Sequence, residues 1–124
     1  MTPIELYISD VTLDGSDRVV KQVAFIGQLD ESNVDDQAKK VYELLETLPE
    51  KSALIFDFEG LEYMNSRSIG YLTDWYSKIT EKGGKLVIIK SRDNIEDILK
   101  VVGLTQIIEF YISLEEAKLA LVNI

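Results

Sequence analysis

The chain contains neither cysteine nor histidine, and these two absences exclude several classes of chemistry. None of its 124 residues is Cys or His. Without a thiol there is no disulfide, no thiolate nucleophile and no cysteine-based zinc site. Without an imidazole, Ser-His-Asp and Cys-His catalysis cannot be assembled within this chain. A zinc site would depend on carboxylates alone, which is unusual. Because no phosphate-binding glycine motif is present either, we expect no metal and no cofactor.

Basic residues are also scarce. There are 13 Lys and Arg against 22 Asp and Glu, a net charge of −9, and the basic residues are scattered. Nucleic-acid binding requires a basic stripe, and anionic membranes also attract basic surfaces. The longest uninterrupted apolar runs are four residues, far below the roughly 20 that span a bilayer. The N-terminus is neither basic nor apolar and predicts no signal peptide. We therefore expect a cytoplasmic protein that binds neither nucleic acid nor membranes.

The length and composition predict one globular domain over residues 1–124. Hydrophobic residues make up 46% of the chain, which is typical of a protein with a packed core. Only two prolines occur, and neither a long linker nor an internal repeat is present. A domain of this size buries about two-thirds of its unfolded surface, so it needs no disulfide to be stable.

Hydrophobic periodicity predicts an α/β fold with a mixed sheet. Strands at residues 6–13 and 19–29 form an N-terminal β-hairpin around a turn at residues 14–17. Strands and helices then alternate: helix 34–48, strand 53–58, helix 66–82, strand 86–89, helix 91–103, strand 107–112 and a terminal helix from 113. Such alternation implies right-handed crossovers, hence a largely parallel sheet after the hairpin, covered by four helices.

Polar residues mark the predicted helix starts. Ser32 and Asp35 resemble a capping box, Ser91 is a predicted N-cap, and Ser113 with Glu116 forms a full capping box.

The second helix carries two residues with alternative explanations. Gly70 is costly inside a helix, and we interpret it as a close contact with a strand rather than a partner contact. Trp75 lies on the flank of the apolar stripe and is either part of the core or an interface residue. Arg67, Tyr71, Asp74 and Lys78 form the predicted solvent-facing line of the helix.

The most informative stretch is residues 54–70, which lead from a buried strand through a predicted loop into the second helix. Asn65, Ser66 and Ser68 crowd the first turn of that helix, where unpaired N–H groups create a partial positive charge. In one interpretation Asn65 or Ser66 is simply the N-cap. In the other, Ser66 is an exposed hydroxyl that can carry a phosphate, favoured by the helix dipole and by neighbouring Arg67.

This stretch resembles the signature of STAS domains, specifically the bacterial anti-sigma factor antagonists. That family has an apolar strand with an Asp, followed by Asp-Ser-Ser/Thr-Gly-Leu-Gly at a helix start. Residues 54–58 and then 63–70 match this pattern, and three further segments match in the same order: residues 26–30, 83–88 and 98–104. The resemblance covers most of the chain.

The resemblance implies a non-enzymatic regulator of transcription. In that family, a serine at the position of Ser66 is phosphorylated by a kinase that is also the anti-sigma factor, and only the unphosphorylated form binds it. Ser66 is then the phospho-acceptor, and the partner-binding surface comprises Asn65, Arg67, Ser68, Ile69 and Gly70. We add Tyr71, because an exposed aromatic residue beside Trp75 is typical of an interface.

Three departures from the family pattern leave alternatives open. Asn65 stands where the family usually has Asp, Arg67 replaces a small Ser or Thr, and Ser68 replaces Gly. These changes favour a phosphorylation-independent STAS scaffold or subunit of a larger complex. A further alternative is a small-ligand-binding or hydrolytic domain that uses the acidic residues Asp57, Glu59 and Glu62.

Overall fold

The computed structural model describes residues 2–122, which form one five-stranded sheet covered by helices. The elements are β1 (Ile4–Val11), β2 (Val20–Leu29), α1 (Val34–Thr47), β3 (Ala53–Met64), α2 (Ser66–Glu81), β4 (Lys85–Ile89), α3 (Asp93–Val101), a 3-10 turn (Leu104–Gln106), β5 (Glu109–Tyr111) and α4 (Leu114–Val122). This order confirms the predicted α/β fold.

The sheet is mixed, and its strand order follows the chain: β1-β2-β3-β4-β5. Strands β1 and β2 form the antiparallel N-terminal hairpin, while β2–β3, β3–β4 and β4–β5 are parallel. The parallel half follows from the helical connections, because each crossover returns the chain to the same end of the sheet.

The four helices cover the two faces of the sheet unequally. Helices α1, α2 and α3 pack on one face, over an aromatic core that includes Phe25, Phe56 and Trp75. Helix α4 packs alone on the other face, over a smaller cluster that includes Ile55 and Val87. Trp75 is buried, which confirms its interpretation as a core residue.

Strand β3 is longer than predicted. The expected loop after Phe58 is wrong, because the strand continues to Met64 and pairs with β2 from Val20↔Ala53 to Leu29↔Met64. Two register shifts interrupt this pairing. From Ala24↔Asp57 to Ile26↔Gly60, for example, β2 advances two residues and β3 three. Such bulges bend and twist a strand locally, and this hid the strand from a simple alternation pattern.

Two predicted helix caps are wrong. Helix α1 begins after Asn33, and the Ser32 hydroxyl donates instead to the Asp30 carboxylate at 2.7 Å. Helix α3 begins after Arg92, and the Ser91 hydroxyl donates to Glu96 Oε1 at 3.0 Å. In both helices the N-cap position falls on the residue after the predicted serine, and no side chain caps the helix.

The capping box at α4 is present in modified form. The Glu116 N–H donates to Ser113 Oγ at 3.2 Å, and the Glu116 carboxylate accepts from the Ile112 N–H at 3.4 Å rather than from the Ser113 N–H. Across the described residues 2–122, the helices are too short or too polar for any of them to span a bilayer.

Candidate functional site

One residue, Asn65, separates β3 from α2 and caps the helix. Its backbone is extended, with φ −86° and ψ 175°, and its N–H donates to Leu29 O at 3.1 Å. Its side-chain Oδ1 accepts from the Ser68 N–H at 2.9 Å, and its carbonyl accepts from the Ile69 N–H at 3.2 Å. Of the two N-cap candidates in the sequence, Asn65 is therefore the one that caps, and Ser66 is the first helical residue.

The two serines of the first turn have opposite environments. Ser68 is 0% exposed, and its hydroxyl donates to the Asn65 carbonyl at 2.6 Å. Ser66 is exposed, and its hydroxyl has no hydrogen-bond partner within residues 2–122. Of these two hydroxyls, only that of Ser66 is available for reaction or docking. Ser68 is predicted to be part of the partner-binding surface, but its side chain faces inward and supports the cap.

The remaining predicted site residues lie along the start of α2. Ile69 is half-buried and packs against the main core, so only part of its side chain faces solvent. Gly70 is exposed, and a Cβ built on it would meet no atom within 4 Å. Its interpretation as a close contact with a strand is therefore wrong. Gly70 instead lies on the exposed surface of the helix, where it presents backbone and no side chain.

Arg67 does not point freely into solvent. Its Nε donates to Asp35 Oδ1 on α1 at 2.6 Å, although both side chains are 61% exposed. The Tyr71 hydroxyl donates to the same oxygen at 2.7 Å, and the Arg67 guanidinium carbon lies 5.7 Å from the Tyr71 ring centroid. The three side chains form one cluster, which we call the α1–α2 bridge: Asp35, Arg67 and Tyr71.

Hydrogen bonds set the charge state of this bridge. The Tyr71 hydroxyl, followed by the Arg67 guanidinium, lowers the pKa of the Asp35 carboxyl below its usual value. The same contacts with Asp35 raise the pKa of Tyr71 and of Arg67. At neutral pH the bridge therefore contains a carboxylate, a guanidinium and a neutral phenol, which is the combination that its hydrogen bonds require.

An aromatic stack extends the bridge along the helices. The Tyr71 ring stacks on Trp75 with centroids 6.0 Å apart, and Tyr42 meets Tyr71 edge-on at 6.1 Å. The Tyr42 hydroxyl donates to Asp74; burial, followed by this contact, raises the pKa of Tyr42. Arg67, Tyr71 and Asp74 thus contact α1. Arg67 is nevertheless exposed, as predicted, whereas Tyr71 and Asp74 are half-buried because α1 packs alongside.

The turn between β2 and α1 borders the candidate site. The Asp30 N–H donates to Asn33 Oδ1 at 3.1 Å, and the Asn33 amide donates to Gln28 O at 2.8 Å. Hydrogen bonds from the side chains of Thr2 and Ser32 lower the pKa of Asp30, so it stays ionised at neutral pH. An open cleft of about 390 Å³ lies here, lined by Asp30, Glu31, Ser32, Tyr63 and Asn65. The surface next to the α2 start is therefore acidic.

The acidic residues near Asp57 form no comparable site. Asp57 Oδ1 accepts from the backbone N–H of Glu59 at 3.0 Å, a local bond within the bulged part of β3. Within residues 2–122, no three acidic side chains come together in a way that could hold a metal ion. The geometry gives no support to the ligand-binding or hydrolytic alternative built on Asp57, Glu59 and Glu62.

Sequence reasoning missed the α1 side of the site. The sequence pattern predicts Asp35 only as a capping residue and does not indicate that Tyr42 belongs to the site, yet both contact α2. Asp35 lies 32 positions from Arg67 and 36 from Tyr71. Local periodicity carries no information about such pairings, because they depend on how two helices pack.

The STAS domain family matches residues 10–117. The chain belongs to the STAS domain family. The same assignment was expected from the resemblance of residues 54–70 and three further segments, and it is confirmed.

Solved structures share the fold along nearly the whole chain. An anti-sigma factor antagonist from Mycobacterium paratuberculosis superposes with a TM-score of 0.78 at 21% identity, covering 96% of this chain and 94% of the other. The unphosphorylated form of the anti-sigma factor antagonist SpoIIAA gives 0.76 at 17% identity, covering 97% and 98%. At these identities the likeness establishes the fold.

The fold also occurs inside a much larger protein. The murine anion transporter Slc26a9 matches all of this STAS domain with a TM-score of 0.72 at 14% identity, but the match covers only 23% of the transporter chain. The same fold is therefore present both in small separate proteins and as part of a transporter.

Proposed function

We propose that this STAS domain is a non-enzymatic binding protein that acts as an anti-sigma factor antagonist in the bacterial cytoplasm. Its partner is an anti-sigma factor of the serine-kinase type, which docks on the start of α2. The observation that carries this proposal is the contrast between Ser66 and Ser68. Asn65 and Ser68 form the helix cap through hydrogen bonds to each other, so the cap does not need the exposed Ser66 hydroxyl. That hydroxyl makes no hydrogen bond within residues 2–122.

The docking surface follows from exposure along the first turns of α2. Ser66, Arg67 and Gly70 are exposed, while Asn65 and Tyr71 are half-buried at its edges. Gly70 presents no side chain and therefore lets a partner approach the helix closely. Tyr71 offers aromatic contact area that the stack on Trp75 holds in place, and such anchored aromatic residues dominate binding energy in many interfaces.

Phosphorylation of Ser66 is the proposed switch. The partner kinase transfers the γ-phosphoryl group of ATP to Ser66 Oγ; the hydroxyl proton passes to a base of the kinase, and ADP leaves. The phosphate adds about −1.5 to −2 charges. Because it is attached at the first residue of a helix, the partial positive charge of the N-terminus accommodates it without disrupting the fold.

The surroundings of Ser66 make that charge effective against binding. Asp30 and Glu31 line the adjoining cleft, and the whole chain already carries a net charge of −9. A partner that buries the α2 start would have to desolvate the phosphate beside these carboxylates, which is unfavourable. Loss of binding then needs no change of shape.

The test is phosphorylation and binding with the purified kinase-type anti-sigma factor from the same genome. With ATP, mass spectrometry is expected to find one phosphate, on Ser66, and none in Ser66→Ala. Without ATP, Ser66→Glu is expected to bind at least about tenfold more weakly than the wild type. The matched control is Ser77→Glu on the same helix, also exposed, which should bind normally. Equal binding by Ser66→Glu and wild type would refute the switch.

A second candidate function is a phosphorylation-independent STAS scaffold that uses the same surface. The observation that favours it is Asn65, a neutral amide at the position where anti-sigma factor antagonists usually have Asp. The Asn65 Oδ1 already accepts a hydrogen bond from the Ser68 N–H. This candidate predicts partner binding that neither ATP nor Ser66→Glu changes. The experiment above therefore separates the two functions.

A further inference from the structure

We propose that Asp35 is a positioning residue that holds the Arg67 guanidinium on the α1 side of α2 and away from Ser66, so that a phosphate on Ser66 keeps its full charge. The inference deepens the proposed function and rests on it for its biological meaning. The position of Arg67 itself depends only on the α1–α2 bridge.

Two separate contacts fix Arg67. Its Nε donates to Asp35 Oδ1 at 2.6 Å, and its guanidinium lies over the Tyr71 ring at 5.7 Å. Tyr71 is itself fixed, because its hydroxyl donates to Asp35 and its ring stacks on the buried Trp75. An arginine with a carboxylate in front and an aromatic ring beneath has two separate reasons to stay where it is.

Neighbouring side chains on a helix point in different directions. Residues i and i+1 project about 100° apart, so they do not face each other as residues i and i+4 do. Arg67 follows Ser66 directly, and its direction leads towards α1. To reach a phosphate on Ser66, the guanidinium would have to leave both the carboxylate and the ring.

The consequence concerns how the switch works in this particular chain. A free arginine beside the acceptor would pair with the phosphate and cancel part of its charge, and this would weaken the electrostatic signal. With Arg67 bound to Asp35, the added charge faces solvent and the partner. Without Asp35, the positive charge of Arg67 would weaken the effect of the phosphate on partner binding. With Asp35 present, an arginine can stand next to Ser66 without this effect.

The test uses protein with phosphoserine incorporated at position 66 during translation, so that no kinase is needed. The readout is the midpoint of the phosphate titration followed by ³¹P NMR, because a nearby guanidinium moves that midpoint to lower pH. Four proteins are compared: the wild type, Arg67→Gln, Asp35→Asn, and the double variant. Asp36→Asn, an exposed neighbour on α1, is the matched control for simple loss of a negative charge.

If Asp35 positions Arg67, Arg67→Gln leaves the midpoint unchanged in the wild-type background. In the Asp35→Asn background, Arg67 reaches the phosphate, so the same change raises the midpoint by about half a pH unit. An equal effect of Arg67→Gln in both backgrounds overturns the proposal, because Asp35 then restrains nothing. No effect in either background overturns it as well, because Arg67 then cannot reach the phosphate.

A second measurement covers the case in which Asp35→Asn disturbs the fold. In the unmodified wild type, the ¹⁵N resonance of Arg67 Nε reports the bridge directly. It is expected to shift as the pH falls below the ordinary range of an Asp carboxyl, when Asp35 is protonated and releases Arg67. A resonance that does not respond there overturns the proposal. Neither experiment involves the anti-sigma factor, so failure here and failure of the proposed function are distinguishable.

Discussion

The two halves of β3 belong to one continuous strand but have very different surroundings. In the first half, Ala53–Asp57, β2 pairs on one edge and β4 on the other, and residues 53–56 are buried between the two layers of helices. In the second half, residues 58–64, β2 is the only strand among residues 2–122 that pairs with β3, so the other edge has no strand beside it. Glu59, Glu62 and Tyr63 are exposed there. The first half anchors the domain, and the second half carries the chain out to Asn65 and Ser66.

This division explains why the candidate site is both precise and accessible. Phe58, Leu61 and Met64 still face the main core, so the end of the strand cannot drift. The bulges re-aim the strand before α2 begins. A site placed at the end of such a strand is held by the core on one side while its first helical turn remains open to a partner.

The sharpest way to test the division is to remove one aromatic side chain from each half. The Phe56 ring lies 5.1 Å from Phe25 and 5.7 Å from Trp75, centroid to centroid, and is fully buried. We expect Phe56→Ala to lower the free energy of unfolding by about 3–5 kcal/mol. Tyr63→Ala, at a side chain that is 45% exposed, is expected to cost less than about 1 kcal/mol. Urea unfolding measures both, and equal losses would contradict the comparison.

The second prediction concerns the glycine at the bulge. A Cβ on Gly60 would lie 2.9 Å from Ile26 Cγ1 and 3.1 Å from the Phe25 carbonyl oxygen. We expect Gly60→Ala to destabilise the fold by about 1–3 kcal/mol, because β2 and β3 must move apart.

Gly70 is the matched control for Gly60. It lies in α2 with no atom within 4 Å of a built Cβ, so Gly70→Ala should stabilise the protein by about 0.5–1 kcal/mol through helix propensity. Thermal unfolding of both variants gives the signs directly. A stabilising Gly60→Ala would mean that the bulge is not tightly packed.

The third prediction tests the junction where β3 passes into α2. Asn65→Ala removes the acceptor of the Ser68 N–H, and we expect a loss of about 1 kcal/mol. Asn65→Asp keeps the acceptor and adds a negative charge at a helix N-terminus, so its stability should equal or exceed that of the wild type. Denaturant midpoints distinguish the two. If Asp proves as destabilising as Ala, the cap bond is not what holds the junction.

The first half of β3 was readable from the sequence, and the second half was not. Residues 53–58 form a nearly continuous apolar run, which is the pattern of a strand buried on both faces. After Phe58, the sequence Glu-Gly-Leu-Glu-Tyr breaks the alternation, because each bulge shifts the facing of the residues that follow it. The bulges arise from the pairing of β3 with β2, so the sequence of β3 alone does not predict them.

The candidate site divides in the same way. The crowding of polar residues at 65–68 marked a helix start, and Asn65 was correctly one of the two predicted caps. The contrast between Ser66 and Ser68 was not predictable, because burial of one and exposure of the other depends on how α2 lies on the sheet. The bridge from Arg67 to Asp35 joins two helices, so it too required the packed structure.

The last and smallest effect is expected at the unpaired edge of the second half. The Arg92 Nε donates to Glu59 O at 3.0 Å, and the Asn94 amide donates to Glu62 O at 3.2 Å. The start of α3 thus satisfies two carbonyls that β4 is too short to reach. Arg92→Ala and Asn94→Ala are each expected to cost about 0.5 kcal/mol in global stability, because each lost bond is exposed and water can replace the donor.

The informative measurement for these variants is hydrogen exchange, because it resolves the two halves. Amides of residues 58–64 are expected to exchange faster in either variant through local opening, while those of residues 53–57 keep their wild-type protection. The double variant should accelerate the same residues further and no others. Uniform acceleration along β3 would show that the strand opens as one unit, and the distinction between its anchoring and presenting halves would then be lost.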